Sequence, residues 1–390
     1  MNTRPSIYLP RRQFVRGLLA TAALGATTKL GGCSSTPPKE VGGDGKMTIG
    51  FIYVGPKDDY GYNQAHAEGA AAIAKKFSWI KLVEEASVPE TTAVAETMRS
   101  MIATDGAKVI FPTSFGYFDP HMLKMAKEYP DVQFFHAAGL YKDGVHPKNV
   151  GSYFGYIDEA EYIAGIVAAL TSKAGKLGFV AAKPIPQVLR NINSFTLGAR
   201  SVKPTATTQV IFTGDWSLPL KEAEAVNSMA DQGVDVVTCH VDSPKTVITT
   251  AEKRGIFSTG YHANQAALAP KGYLTGAEWD WTNIYTKIAE EVKSGKKLDD
   301  GGIPHVLRGG LKDGYCKLSD YGPAVGEATK KAAEEVKAKF MADTLVIYKG
   351  GLKDNKGAVV IPLGQDLKQQ DIKLESINYL VEGVVGSISS

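Results

Sequence analysis

Met47-Thr48-Ile49-Gly50-Phe51-Ile52-Tyr53 runs through a Gly55-Pro56 turn into Tyr62-Asn63-Gln64-Ala65-His66-Ala67-Glu68-Gly69, and this passage decides the fold. The first seven residues are mostly β-branched, apolar or aromatic and stop at a turn, which reads as a short buried strand over Met47–Tyr53. From Tyr62 to Phe77, positions Ala65, Gly69, Ala72, Ile73 and Lys76 recur at helical spacing, with small residues on the packing face. The alternation then repeats. Ile80–Ala86, Val109–Pro112 and Gln133–Ala137 read as strands, and Ala93–Thr104 and Pro120–Glu128 as helices. Short apolar strands separated by amphipathic helices give βαβ units and a parallel sheet.

A helix over Glu159–Thr171 introduces a second series. Its strands are Leu177–Ala181, Gln209–Thr213, Val234–Cys239, Ile256–Gly260 and Tyr273–Ala277, and its helices are Val188–Ser201, Leu218–Gln232 and Thr246–Arg254. Two series of similar size predict two open α/β sheets, in keeping with a chain of 390 residues, too long for one usual core. The remainder is mixed. A helix at Trp281–Lys293 precedes extended pieces at Ile303–Gly309 and Tyr315–Leu318; a long helix, Val325–Ala342, precedes strands at Thr344–Tyr348 and Val359–Ile361. Such an ending implies that the chain crosses between lobes more than once. The expected division is 47–160 with about 281–315 in one lobe, and 161–280 with about 316–390 in the other.

Upstream lies an export address. Arg11-Arg12-Gln13-Phe14-Val15-Arg16 is a twin-arginine pattern, Gly17–Thr28 is weakly apolar, and Leu30-Gly31-Gly32-Cys33 has the form of a lipoprotein cleavage box. The expectation is a signal over 1–32, lipidation at Cys33, and a flexible tether over 33–46, rich in Ser, Pro and Gly. The formal charge of +3 changes sign on processing. Five basic residues and no acid lie in the signal, so 39 of the 44 basic residues would face 41 acidic ones. A near-neutral body has no electrostatic footprint for nucleic acid. Beyond the signal, no apolar run approaches the ~18–20 residues that span a bilayer. Cys239 and Cys316 have no spacing that requires a bridge and read as separate buried thiols; no Cys/His cluster suggests a metal, and no cofactor is expected.

In open α/β sheets ligands bind beyond the carboxyl ends of the strands. Those ends carry Gly55–Gln64, Ser114-Phe115-Gly116-Tyr117, Gly214-Asp215-Trp216, His240-Val241-Asp242-Ser243, Tyr261–Gln265 and Glu278-Trp279-Asp280-Trp281. Rings for the faces, with amides and carboxylates for the edge, suit a small flat polar ligand. An Asn amide can grip the N–H/N edge of a purine with both its atoms. Catalytic patterns are absent: no phosphate loop, nucleophile elbow or zinc-protease motif occurs. His66-Ala67-Glu68 matches part of a nucleobase deaminase signature, but the cysteine pair that completes the zinc site is missing. It reads as helix body, with Glu68 facing solvent and His66 at the surface or rim. An exported enzyme using His262 with Asp280, and a sensor or adhesin subunit, are the alternatives to a binding protein.

The signal with its lipobox, Ile49-Gly50-Phe51-Ile52-Tyr53, Gly61-Tyr62-Asn63-Gln64, Lys176-Leu177-Gly178-Phe179-Val180, Phe212-Thr213-Gly214-Asp215-Trp216, Gly260–Gln265 and Val381-Glu382-Gly383-Val384-Val385-Gly386 together resemble the basic membrane protein family. These are substrate-binding lipoproteins of ATP-binding-cassette importers, with purine nucleoside binders among them. The resemblance implies a type I periplasmic-binding fold, with two α/β lobes and a multi-strand hinge that closes on ligand. It also implies a monomer that works with permease subunits and is held at the membrane by its lipid. Tyr62 and Trp216 would clamp the two faces of a base while Asn63 reads its edge. Family members that bind nucleosides carry acids where this chain has His262 and Asn264. With Trp279-Asp280-Trp281 expected to fill the space of a sugar, the resemblance points to a free purine base or related heterocycle, and a nucleoside is the alternative. Phe115 and Tyr117 are further candidates for the cleft, and Asp215, Glu278 and Asp280 are candidate acceptors for ring or exocyclic N–H groups.

Overall fold

The computed structural model describes residues 45–388. The twin-arginine segment, Cys33 and most of the tether lie outside them. In chain order the strands are β1 (Met47–Ile52), β2 (Ile80–Glu85), β3 (Val109–Pro112), β4 (Gln133–Ala137), β5 (Val150–Gly155), β6 (Lys176–Ala181), β7 (Thr207–Phe212), β8 (Val236–His240), β9 (Phe257–His262), β10 (Tyr273–Trp279), β11 (Val306–Gly309), β12 (Cys316–Leu318) and β13 (Val384–Val385). The helices are α1 (Tyr62–Lys76), α2 (Thr92–Ala103), α3 (Leu123–Glu128), α4 (Asp158–Thr171), α5 (Pro186–Val202), α6 (Pro219–Asp231), α7 (Lys245–Arg254), α8 (Trp281–Lys293) and α9 (Glu327–Met341).

Two sheets carry the architecture, in the orders β11-β5-β4-β3-β1-β2 and β12-β10-β9-β8-β6-β7-β13. Every pairing is parallel except β12 on β10. Strands covered by helices on both faces need apolar side chains on both, which is why Ile49 to Ile52 have no polar alternation and lie buried throughout. Phe51 sits opposite Phe111 in register, and their rings stack at 4.5 Å. In the second lobe α4 is almost wholly buried and packs on α5. A Cβ on Gly165 would stand 2.0 Å from the Phe195 carbonyl oxygen, and one on Gly198 1.9 Å from that of Tyr162. The two helices therefore meet backbone to backbone, which only glycine permits.

The chain passes between the sheets three times: from β5 into α4, from β10 into α8, and from β11 into β12. The crossings are hydrogen-bonded to one another, Tyr156 N–H to Gly309 O at 2.7 Å and Asp280 N–H to Tyr315 O at 3.0 Å. Strand β5 is absent from the sequence reading: Val150-Gly151-Ser152-Tyr153-Phe154-Gly155 is short and interrupted by glycine. The expected strands at Thr344–Tyr348 and Val359–Ile361 reduce to isolated bridges, Tyr348 with Leu367 and Lys353 with Val359. The helix expected from Pro120 becomes regular only at Leu123, after an irregular turn in which Asp119 is extended. Cys239 and Cys316 are unpaired buried thiols, and burial raises the pKa of both. No helix among the described residues is long and apolar enough to cross a membrane.

Candidate functional site

The cleft opens where the carboxyl ends of β1 and β3 face those of β7, β8 and β9. Its first-lobe rim is the loop before α1. Asp59 accepts hydrogen bonds from the backbone N–H groups of Gly61 (2.8 Å), Asn63 (3.1 Å) and Gln64 (3.0 Å), which would otherwise be unsatisfied at a helix start. The Asn63 side chain completes this knot, donating to Asp59 Oδ2 at 2.8 Å and accepting from Gly55 N–H at 3.1 Å. The loop so fixed presses on the second lobe. Tyr62 N–H donates to Asp242 O at 2.9 Å, Ser243 Oγ to Asp59 O at 2.6 Å, and Gln265 Nε2 to Tyr60 O at 2.6 Å. The cleft is closed. Gly61 lies at the seam, where a Cβ would stand 1.9 Å from Asp242 O.

Closure leaves a cavity of 410 Å³. Tyr62, Glu90 and Phe115 line it from the first lobe; Asp215, Trp216, His240, Asp242 and His262 line it from the second. The Tyr62 hydroxyl donates to Thr113 O at 2.5 Å, which fixes its ring, and that ring meets His262 edge-on with centroids 5.4 Å apart. Trp216 lies beside His240 at 6.1 Å, with the Lys183 ammonium 5.7 Å from its ring. Lys183 also pairs with Asp215 at 2.8 Å.

His262 has a defined tautomer. Trp279 Nε1 can only donate, and it does so to His262 Nδ1 at 2.8 Å. The proton of the neutral ring is therefore on Nε2, a buried atom on the side of the ring where the Val241 backbone lies. Burial, with the His240 and His66 rings adding to it, outweighs a hydrogen bond with the Val241 backbone and holds the imidazole well below its ordinary pKa, so the ring in the cavity wall is neutral. His240 is likewise pushed down to about 3 by burial. Its Nδ1 faces the Asn191 amide nitrogen at 3.0 Å, and that amide also donates to Tyr261 Oη at 2.8 Å.

Two further acids line the cavity: Glu90, which the sequence reading passed over, and Asp242, which it placed at a strand end without a role. Glu90 takes hydrogen bonds from Ser114 Oγ (2.5 Å) and Gly116 N–H (2.7 Å). Asp242 is pushed up to about 8 by burial and by Asp59, Glu90, Asp215 and Glu222 around it. The signal for Asp242 was its place just after a strand. Glu90 had none, because it lies in the loop after β2 and reaches the cleft only through the fold.

Five expected site residues are elsewhere. Asn63 is engaged by Asp59 and Gly55 and does not line the cavity. Tyr117 is wholly buried, with its hydroxyl on Val88 O. Glu278 accepts from Ser319 Oγ and pairs with Lys317 at 3.5 Å across the sheet edge. Trp279 stacks on Trp281 at 4.6 Å within the hinge, and Asp280 caps α8 through Thr282 N–H at 3.3 Å. The Trp279-Asp280-Trp281 cluster therefore fills the hinge and not the space of a sugar. His66 is not at the rim: it is fully buried, stacked on Trp281 at 4.9 Å with Nδ1 2.5 Å from Tyr285 Oη. His262 and Asp280 make no acid–base pair, since each has another partner. Among the described residues no group of His, Cys, Asp or Glu is arranged to hold a metal.

Two lobes, three crossings and an aromatic cavity between them define a hinge-closing solute-binding protein. The chain belongs to the ABC transporter substrate-binding protein family of PnrA type, whose model matches residues 46–350. A purine-binding protein of Brucella abortus is 35% identical over 87% of this chain and 93% of its own. A putative ABC transporter glucose-binding protein of Haloferax volcanii is 31% identical over 88% of this chain and 82% of its own. Among solved structures, a transcriptional activator of the comK gene from Bacillus halodurans superposes with a TM-score of 0.65 at 21% identity, covering 75% of this chain and 97% of that one. An ABC transporter solute-binding protein from Conexibacter woesei gives 0.64 at 19% identity, covering 77% and 97%. These structures share the two-lobed fold. The protein is an extracytoplasmic solute-binding component of an importer and not an enzyme.

Proposed function

We propose that the cleft binds a free purine base. The observation that carries this reading is a cavity lined by a tyrosine and a tryptophan from opposite lobes, with the neutral His262 ring in its wall and the Glu90, Asp215 and Asp242 side chains at its edge. Stacking a base on an aromatic ring contributes about 1–3 kcal/mol, and buried polar groups left unpaired by a wrong ligand supply discrimination. The printed name of the Brucella abortus relative supports the same class. With the hinge tryptophans out of the cavity, the preference for a base over a nucleoside rests on His262, which serves a vicinal diol less well than a carboxylate. Titration calorimetry of the purified protein with adenine, guanine, hypoxanthine, xanthine, adenosine and glucose tests this. A free base should bind at micromolar concentration or better. Binding of adenosine or glucose with no response to any base overturns the reading.

The reading extends to location and partners. Export by Arg11-Arg12, lipid attachment at Cys33 and delivery as a monomer to permease subunits fit the family and the lipobox pattern. Cys33→Ala should move the protein from the membrane fraction to the soluble fraction; unchanged fractionation removes the anchor.

A further inference from the structure

A second cavity, of 230 Å³, adjoins the first, and Phe115, Ala138, Phe154 and Gln187 line both. It lies against the hinge, between the β5–α4 crossing, the start of α5, Arg308 of β11 and the tail segment carrying Leu374 and Glu375. Its wall is apolar: Phe115, Leu140, Phe154, Ile185, Pro186 and Leu374. Phe115 and Leu140 are 62% and 49% exposed, so apolar surface lies open beside the cleft. Two guanidiniums reach this chamber, and each is matched by a carboxylate. Arg190 Nε is 3.0 Å from Asp158, Arg190 Nη2 donates to Gln369 O at 3.2 Å, and its guanidinium lies over Tyr156 at 5.2 Å. Arg308 Nε pairs with Glu375 at 3.2 Å, and its Nη1 donates to Ser152 Oγ at 3.1 Å.

The chamber thus offers apolar surface and charges already neutralised by their neighbours. An anionic group gains nothing from an arginine already paired with a carboxylate, and a sugar would lose water from its hydroxyls without replacement. From these contacts we infer that the chamber is a second subsite, which takes an uncharged apolar substituent carried by the heterocycle held in the aromatic cavity. The protein would then accept N-alkylated or N-arylalkylated purines and hold them more tightly than the bare base. This inference rests on the purine reading of the main cavity.

Calorimetry with adenine and its benzyl derivatives at N6, N7 and N9 tests it. Burying an apolar group of that size is expected to tighten binding about tenfold or more for the isomer whose substituent points at the chamber. Leu140→Asp and Ile185→Asp, at positions that line only the chamber, should each remove that gain and leave the affinity for adenine unchanged. Adenine binding with no derivative tighter than adenine overturns the subsite alone, as does a gain that survives in both variants. Absence of binding by adenine and by every derivative overturns the purine reading, and the subsite with it.

Discussion

Trp216 and Trp279 both stand at the carboxyl end of a strand in the second sheet, and the structure uses them in opposite ways. Trp216 follows β7, after which the chain turns into α6 of the same lobe. Its indole is left half-buried at the cavity wall. Trp279 ends β10, from which the chain leaves for the other lobe. Its indole is 4% exposed, stacked on Trp281 and tilted against Phe154, and its N–H is fixed on His262. At Trp216 the chain stays in its sheet, and the residue after the strand faces the cavity. At Trp279 the chain crosses to the other lobe, and the strand end becomes hinge. The hinge residue still acts on the site at one remove, because Trp279 selects the tautomer of His262.

The sharpest break in this comparison is a pair of alanine substitutions. Trp279→Ala should cost about 3–5 kcal/mol of stability, the usual loss for a large aromatic cut from a core, read as a lower denaturant midpoint. Trp216→Ala should leave that midpoint nearly unchanged and weaken base binding at least tenfold, as should Tyr62→Ala. If Trp216→Ala unfolds the protein while Trp279→Ala affects only binding, the two roles have been exchanged. A smaller effect concerns the seam. Gly61→Ala adds a methyl where Asp242 O already sits, so the lobes should fail to close fully. Small-angle scattering should then show a larger ligand-bound radius than wild type, with weaker affinity although Gly61 lines no part of the cavity. An unchanged radius and affinity would mean that the loop yields without cost.

The smallest expected effect is a pH dependence. Asp242 has a folded-state pKa of about 8, far above the ordinary carboxylate value, so its neutral form is favoured by the closed fold. The sign follows from linkage: its contribution is fully favourable below the ordinary carboxylate pKa and is lost as pH rises through about 8. The ligand-free protein should therefore lose thermal stability between pH 5 and pH 8, and Asp242→Asn should flatten that slope. Equal slopes for the two proteins would show that other groups set it.

The two α/β series were legible because parallel strands buried on both faces must be continuously apolar, as in Ile49–Ile52, and their covering helices must repeat at 3.6 residues. The aromatic character of the cleft was legible too: Tyr62, Phe115, Asp215 and Trp216 follow strands, His262 ends one, and all line the cavity. The roles of Asn63, Tyr117, Glu278, Trp279 and Asp280 were not. Each has the same local setting as a ligand-facing residue and differs only in what lies opposite it. Glu90 escaped altogether, since the loop after β2 approaches the cleft only because β2 is the edge strand beside β1.

Sequence by itself settled most of the strand and helix series, though not β5 or the tail, together with the likeness to a solute-binding family and the types of side chain available to a ligand. Those are local properties, written in periodicity and in the residues that follow each strand. Which of those side chains meet was decided only in three dimensions. Contacts such as Tyr62 to Asp242 and Trp279 to His262 join residues far apart in the chain, and they depend on where three crossings place one lobe against the other.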